Sequence, residues 1–238
     1  MKLDILAFGA HPDDVELGCG GTLAKAIAAG KKVGIIDLTR GELGTRGTAE
    51  IRDAEAIAAA KILGIHFREN LNMRDGFFEN NEENQLQIIA IIRKYKPEIV
   101  ICNAIEDRHI DHAKGSKLVA DACFLSGLTK IETHFENQKQ AAWRPKNVYH
   151  YIQWNSLKPD FVVDISGYND QRLEAIKAYK SQFYDPISKE PQTPIATKTF
   201  LESLNFRVQD FGRLVGVDFA EGFTSDRILA VDTLENLK

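Results

Sequence analysis

Short apolar runs alternate along the chain with segments whose apolar residues recur at helical spacing. Four runs that end at glycine, proline or polar residues predict buried strands at residues 3–8, 32–38, 65–67 and 99–102. The segments between and after them predict helices at residues 22–29, 48–63, 84–95 and about 112–125. Alternation of this kind predicts a mostly parallel sheet that is covered by helices on both faces.

The second half of the chain carries weaker patterns of the same type. Residues 148–152 and 161–165 predict strands, and residues 171–183 and 197–211 predict helices. We expect a Rossmann-like three-layer α/β fold in one domain over residues 1–238, with the strand order 3-2-1-4-5. The proline-bearing stretch 185–197 predicts either a surface loop or a lid over an active site.

Two polar clusters follow the first and fourth predicted strands. The first cluster is residues 10–16 (AHPDDVE), and the second is residues 107–112 (DRHIDH). Ligands of open α/β sheets bind at the carboxyl ends of strands, where the strand order reverses. Because the expected order makes the first and fourth strands neighbours, we expect both clusters to face one crevice.

The residue types in these clusters suit a catalytic metal ion. His11 and Asp14, with a histidine of the second cluster, would give two imidazoles and one carboxylate, which leaves a position open for water or substrate. The remaining acids, Asp13 and Asp111, could act as a general base or orient a histidine. The structural alternative is that Asp13 and Asp14 only cap the helix that follows.

Composition and charge narrow the classes of function. The net charge is −4, from 30 basic and 34 acidic residues, and no long block of one sign suggests a nucleic-acid partner. The apolar runs are too short to cross a membrane, and the first residues lack the apolar core of a signal peptide. Three scattered cysteines predict free thiols in a reducing compartment, and therefore a cytoplasmic protein.

Longer motifs around the clusters resemble those of a known family. His11-Pro12-Asp13-Asp14, followed by residues 18–23 (GCGGTL), resembles the signature of the LmbE-like (PIG-L) zinc-dependent N-acetylglucosamine deacetylases. Residues 109–112 (HIDH) resemble the HxDH motif of that family. The resemblance implies an LmbE-like fold and a hydrolase that releases acetate from an N-acetyl amino sugar.

Other segments resemble one branch of this family in particular. Residues 38–47 (LTRGELGTRG) and 50–52 (EIR) are similar to the branch that deacetylates N-acetylglucosaminyl malate in bacillithiol biosynthesis. The similarity extends to residues 179–182 (YKSQ) and 220–223 (AEGF). Related enzymes act on other acetylated sugars, including those of the diacetylchitobiose type, so that substrate class stays open as an alternative.

The resemblance also implies a role for each polar residue of the two clusters. The implied ligands of Zn²⁺, or of Fe²⁺ in its place, are His11, Asp14 and His112. The implied catalytic residues are Asp13 as general base, His109 as the group that stabilises the oxyanion or protonates the amine, and Asp111 as the residue that supports the neighbouring histidines.

Arginines are the candidates for substrate binding. Arg52 lies where the family has an arginine that holds substrate hydroxyls, and Arg46 and Arg108 could bind the carboxylates of malate. Some relatives carry a tyrosine shortly before the second motif, where this chain has Asp107-Arg108. The implied partner is a small N-acetyl amino sugar, with no nucleic acid and no membrane, and the resemblance implies a homo-oligomer.

Three other functions compete with this interpretation. A nucleotide-binding Rossmann protein would suit the fold class and Asp37 at the end of the second strand, but the chain lacks both GxGxxG after the first strand and GxxxxGK[ST] anywhere. A non-haem iron oxygenase could use the same two histidines and one carboxylate. A non-catalytic sugar-binding protein with a structural metal would have no use for the extra acid Asp13.

Overall fold

A seven-stranded sheet forms the centre of the protein in a computed structural model that describes residues 1–236. Nine strands are present in that range: β1 (Ile5–Gly9), β2 (Val33–Thr39), β3 (Phe67–Met73), β4 (Ile99–Cys102), β5 (His134–Phe135), β6 (Gln138–Lys139), β7 (Asn147–Tyr151), β8 (Phe161–Asp164) and β9 (Ala220–Ser225). The order across the sheet is β3-β2-β1-β4-β7-β9-β8, and β5 and β6 form a separate hairpin.

Helices cover both faces of this sheet. Their bounds are α1 (Asp14–Ala28), α2 (Ala49–Leu63), α3 (Glu82–Tyr95), α4 (Ile110–Leu125), α5 (Asn169–Lys177) and α6 (Lys198–Val215). Side chains of α3 and α4 form one core with the sheet, whereas α1 packs on the other face, where α2, α5 and α6 extend the core. The predicted three-layer α/β fold is therefore confirmed.

Alternation along β1 shows how one strand serves both layers. Ile5 and Ala7 belong to the core beneath α1, while Leu6 and Phe8 belong to the core beneath α3 and α4. Successive side chains of a strand point to opposite faces, so a strand that is buried on both faces is a continuous apolar run.

The predicted strand order 3-2-1-4-5 is confirmed. β1 pairs in parallel with both β2 and β4, and β7 takes the fifth position beside β4. The predicted helix at residues 48–63 is also confirmed, because the Thr48 side chain accepts a hydrogen bond from the Ile51 amide and Gly64 ends the helix at φ +78°. Glycine adopts that left-handed conformation without a steric penalty.

The sequence pattern was wrong about the start of α1. The helix begins at Asp14 rather than at residue 22, and its first half contains Gly18, Gly20 and Gly21, which are poor helix formers. These glycines allow close packing, since a Cβ at Gly18 would lie 2.1 Å from the Tyr151 ring. The helix is kinked at Cys19, whose φ of −149° is not helical, so these glycines lie at a break in the helix as well as in close contact.

Other elements also differ from the prediction. β3 runs to Met73 instead of ending at residue 67, and most of its side chains are only half-buried at the sheet edge, so no apolar run marks it. β9 and the β5–β6 hairpin were not predicted, and α5 ends at Lys177 rather than at residue 183. β9 runs antiparallel to both of its neighbours and mixes polar with apolar residues.

A buried ion-pair cluster joins β2, β3 and α1. Arg68 donates to Asp37 through Nε at 2.7 Å and Nη2 at 2.9 Å, and its Nη1 donates to Glu16 at 2.6 Å. Burial raises the pKa of Asp37, and the Arg68 guanidinium opposes that shift. Asp37 is thus used inside the fold, which argues against its role as a ribose ligand in the nucleotide-binding alternative.

Two predictions from composition concern cysteines and membrane helices. Cys19, Cys102 and Cys123 are free and buried, as predicted, and burial raises the pKa of each thiol. Buried thiols of this kind are chemically inert. None of the helices within residues 1–236 combines the length and the apolar character that crossing a bilayer requires.

Substitution Arg68→Met tests the buried cluster. It would leave the Glu16 and Asp37 carboxylates buried without their cation, so we expect the free energy of unfolding to fall by about 3–5 kcal/mol. Urea denaturation measures this quantity. The matched control is Arg213→Met, whose ion pair with Asp210 is exposed, and its unfolding midpoint should not move. Equal midpoints for the two variants would show that the buried cluster adds no stability.

Candidate metal centre and its cavity

A cavity of about 650 Å³ opens at the carboxyl ends of β1 and β4. Both polar clusters line it, together with loop residues after β2 and β3, residues 153–154 and residues 193–195. The parallel pairing of β1 with β4 aligns Ala7 with Ile101, so the two strands end side by side. The crevice expected from the strand order is therefore present.

Asp14 lies between two histidines in this cavity. One of its oxygens, Oδ2, is 3.6 Å from His11 Nδ1, and the other, Oδ1, is 3.1 Å from His112 Nε2. The two imidazole rings have their centroids 5.7 Å apart. We call these three residues the metal centre. The structure brings the predicted ligands together, and two imidazoles with one carboxylate are a donor set that suits a divalent metal ion.

Two carboxylates lie on the far nitrogen of His11. Its Nε2 is 3.0 Å from Asp75 Oδ1 and 3.4 Å from Asp111 Oδ2. A proton on Nε2 would leave Nδ1 as the lone-pair nitrogen that faces Asp14, which is how outer carboxylates orient metal-binding histidines. Asp111 is placed for the supporting role that was predicted, and Asp75 is an addition.

The sequence offered a signal for Asp75 that the strand prediction concealed. Asp75 follows the end of β3, just as the two polar clusters follow β1 and β4. Because β3 was predicted to end at residue 67, Asp75 was not placed at the carboxyl edge of the sheet. Its other oxygen, Oδ2, accepts a hydrogen bond from the Leu43 amide at 2.9 Å.

Two amide side chains hold Asp14 in position. Asn103 donates to Oδ2 at 2.9 Å, and Gln153 donates to Oδ1 at 2.8 Å. Burial alone would raise the pKa of Asp14, but the neighbouring His112 and His11 hold it well below its usual range. The carboxylate is therefore charged, as a metal ligand must be. The sequence pattern did not single out either amide, although Asn103 directly follows β4 and Gln153 lies two residues after β7.

The electrostatics of the centre favour a cation. Burial would lower the pKa of His112, but the carboxylates of Asp14 and Asp107 raise it to about 9. The same carboxylates would stabilise a divalent metal ion between the imidazoles. In the described chain, ligand atoms lie within 4.8 Å of one another in two groups, which are His11 with His109 and His112, and His11 with Asp75 and Asp111. Asp14 belongs to neither group, and His109 is a further potential ligand. The residues present therefore fit a bound metal.

Asp13 combines a strained backbone with a buried carboxyl group. Its φ of +106° is in the left-handed region that favours glycine, and strain of this type is concentrated at functional sites. Its Oδ2 accepts a hydrogen bond from Arg52 Nη2 at 2.9 Å. Burial raises the pKa of Asp13 to about 7, although Arg52 opposes the shift. The capping alternative is wrong for this residue, since its side chain makes no capping hydrogen bond to α1.

His109 is a neutral hydrogen-bond donor at the cavity wall. Its Nδ1 accepts from the Asp111 amide at 3.3 Å, which assigns the ring proton to Nε2. Burial, and then the positive charges of His11 and His112, lower the pKa of His109. A neutral imidazole N–H in this position can stabilise a developing negative charge.

The three candidate arginines have different surroundings. Arg52 lines the cavity but is engaged by Asp13, and Arg108 lines it with its guanidinium 4.4 Å from the centre of the Trp154 ring. Arg46 is buried outside the lining and donates to Ser188 Oγ at 2.7 Å. Its role as a substrate ligand, like that of residues 185–197 as a lid, stays a prediction. No tyrosine of the described chain is among the lining residues.

Substitution His112→Ala tests the metal centre. Loss of one of three ligands should weaken metal binding by more than the roughly 10–100-fold that outer residues contribute. Competition between the protein and a chromogenic chelator for Zn²⁺ measures the dissociation constant. His134→Ala, in the exposed β5–β6 hairpin, is the matched control and should bind metal normally. Normal affinity in His112→Ala would remove this residue from the ligand set.

Comparison with known proteins finds similarity to deacetylases. A family model described as PIG-L, GlcNAc-PI de-N-acetylase, matches residues 6–123, which contain both polar clusters. Diacetylchitobiose deacetylase from Thermococcus kodakarensis is 26% identical over 228 residues, which cover 92% of this chain and 81% of that protein.

Two solved structures share the fold over nearly the whole chain. The conserved protein TT1542 from Thermus thermophilus is 38% identical with a TM-score of 0.85, and the match covers 97% of this chain and 98% of that one. N,N'-diacetylchitobiose deacetylase from Pyrococcus horikoshii is 25% identical with a TM-score of 0.79, and the match covers 98% and 88%.

Proposed function

We propose that this chain, which belongs to the PIG-L family of deacetylases, is a zinc-dependent enzyme that releases acetate from N-acetylglucosaminyl malate in bacillithiol biosynthesis. It is a hydrolase of an amide bond in an N-acetyl sugar. The observation that carries the zinc proposal is the convergence of His11, Asp14 and His112 beside the spare carboxyl group of Asp13. The names of two relatives keep diacetylchitobiose as the second candidate substrate.

His11, Asp14 and His112 would hold the zinc ion. Bound zinc supplies a Lewis acid for the acetyl carbonyl and lowers the pKa of a water ligand to about 7. Asp75 and Asp111 hold the His11 ring in the orientation that presents Nδ1 to the centre. Asn103 and Gln153 hold the Asp14 carboxylate.

Asp13 is the general base of the proposed reaction. Its carboxylate accepts a proton from the attacking water while the water oxygen bonds to the acetyl carbon. The hydrogen bond from Arg52 fixes the position of that carboxylate. The C–N bond then breaks, the proton that Asp13 accepted passes to the leaving nitrogen, and acetate and the free amino sugar are released.

His109 stabilises the charge that develops on the acetyl oxygen. Its Nε2–H is the free donor of the ring, because Nδ1 is occupied by the Asp111 amide. One donor of this kind contributes roughly 3 kcal/mol to stabilising a transition state. This arrangement lets the chain function without the tyrosine that some relatives carry before the second motif.

Substitution Asp13→Ala separates proton transfer from metal binding. Loss of the general base should lower kcat by roughly 10²–10⁴-fold, while zinc content should stay at the wild-type level because Asp13 is not a ligand. Acetate release and metal analysis on the same sample measure both. Asp170→Ala, an exposed acid on α5, is the control. Near-normal turnover in Asp13→Ala would assign the base to another group.

A substrate panel tests the proposed activity. Acetate release is measured with N-acetylglucosaminyl malate, diacetylchitobiose and free N-acetylglucosamine, each with and without a chelator. We expect the highest kcat/KM for the malate derivative and loss of all activity in chelator, with recovery on added Zn²⁺. A preference for diacetylchitobiose would select the second candidate. Oxygen uptake without acetate release would instead indicate the iron oxygenase.

Further parts of the proposal concern the oligomeric state, location, partners and metal of the enzyme. A homo-oligomeric state, a cytoplasmic location and the lack of a nucleic-acid partner all stay predictions. Fe²⁺ in place of Zn²⁺ is the alternative cofactor, since the same two imidazoles and carboxylate suit either ion.

A further inference from the structure

Arg207 lies on the cavity-facing side of helix α6. Phe200, Leu204 and Arg207 are spaced by four and three residues, so they share one face of the helix. Leu204 is buried, and both Leu204 and Arg207 line the same cavity as the metal centre. A charged group on the apolar face of a helix is costly unless it has a partner.

The fold supplies almost no partner for this guanidinium. Its one hydrogen bond in the described chain runs from Nη2 to the Trp154 carbonyl at 3.5 Å, and it forms no ion pair within residues 1–236. Burial, and then the charge of Arg172, lower the pKa of Arg207 to about 10, whereas Asp107 opposes these shifts without forming an ion pair with the guanidinium.

Three buried arginines of the same protein are paired with acids, while buried Arg93 donates to backbone carbonyls and buried Arg46 donates to Ser188 Oγ. Arg52 contacts Asp13 at 2.9 Å, Arg68 contacts Glu16 at 2.6 Å, and Arg172 contacts Glu221 at 3.2 Å. A carboxylate accompanies each of these three guanidinium groups inside the fold. Within residues 1–236 Arg207 has one long hydrogen bond and no carboxylate in ion-pair contact, and it faces a cavity that is large enough to admit a ligand.

A second arginine meets Arg207 at Trp154. The guanidinium of Arg108 lies 4.4 Å from the centre of the Trp154 ring, whereas Arg207 donates to the carbonyl of the same residue. Arg108 also lines the cavity and has no carboxylate partner within the described residues. We call Arg108 and Arg207 the two-arginine wall.

One acid connects this wall to the metal centre. The Trp154 amide donates to Asp107 Oδ2 at 2.7 Å, and Asp107 Oδ1 lies 3.3 Å from His112 Nδ1. The wall and the centre are thus two ends of one short chain of contacts. A sugar whose acetamide group reaches the metal centre would place its attached group near the wall.

We propose that the two-arginine wall binds a carboxylate on the group attached to the acetylated sugar, and that Arg207 selects anionic over neutral substrates. This inference rests on the proposed deacetylase function. Guanidinium groups match carboxylates through paired, charge-assisted hydrogen bonds. A neutral disaccharide would leave Arg207 desolvated and unpaired, so the wall favours the malate derivative over diacetylchitobiose.

The test compares Arg207→Met with Arg213→Met, an exposed arginine on the same helix. Each variant is assayed for acetate release from N-acetylglucosaminyl malate and from the neutral methyl glycoside of N-acetylglucosamine. Loss of a hydrogen-bonded ion pair should lower the anionic-to-neutral ratio of kcat/KM by about 10–100-fold in Arg207→Met, mainly through KM. The ratio should be intact in Arg213→Met and partly restored in Arg207→Lys.

Two outcomes would overturn the inference. An unchanged ratio in Arg207→Met would show that the guanidinium does not touch the anion, and an equal loss on both sugars would show a packing role only. Thermal unfolding of each variant identifies any loss of fold, in which case Arg207→Lys decides the question.

A binding measurement separates this inference from the proposed function. Calorimetry with the deacetylated product, glucosaminyl malate, reports the anion contact without turnover, and we expect a Kd about 10–100-fold weaker in Arg207→Met than in wild type. If wild type releases no acetate from any sugar, the proposed function fails. The Kd difference would then still support the wall, and its absence would reject it.

Discussion

The parallel pairing of β1 with β4 is the constraint on which the site depends. These strands are distant in sequence, yet they end together, and the Asn103 side chain joins their ends by accepting from the Ala10 amide at 2.9 Å. The side-chain nitrogen of Asn103 donates to Asp14 at 2.9 Å and also to Gln153. One side chain thus ties the backbone of the first cluster to the carboxylate at the metal centre. A shift of either strand by one residue would turn its side chains to the opposite face and separate the two halves of the site.

Charge compensation inside the fold explains how so many ionisable groups can be buried. The Arg68 cluster under α1 and the pair of Arg172 with Glu221 each neutralise carboxylates that the apolar core could not tolerate alone. The cavity follows another rule, because acids surround its histidines, while Arg108 and Arg207 line it without an ion pair to any acid within residues 1–236. Negative charge is therefore in excess around the histidines, and positive charge is in excess at the two arginines. A ligand with a metal-binding group at one end and an anionic group at the other would match this separation.

The sequence could predict those parts of the fold and the site that local pattern determines. Buried central strands are continuous apolar runs, so β1, β4 and the clusters behind them followed from the pattern, whereas the strand order came from analogy with doubly wound sheets. Half-buried edge strands have no such pattern, and the early end predicted for β3 therefore concealed Asp75. Asn103 and Gln153 were missed for a different reason, since an amide acquires its role only through a partner that folding brings to it. The sequence likewise could not predict that Arg207 forms no ion pair in the described chain, because its neighbours come from distant segments that folding brings together.

The left-handed backbone at Asp13 lowers the stability of the fold, and the same residue carries a carboxyl group of the candidate site. Glycine would adopt φ +106° without strain, so replacing the side chain by hydrogen would relax the turn while deleting the carboxyl group. Laboratory selection for thermostability alone would therefore tend to drift toward glycine at this position and remove the general base that we propose. Alanine keeps the strained geometry but also lacks the carboxyl group. The difference in unfolding free energy between Asp13→Gly and Asp13→Ala would therefore measure the strain of this turn.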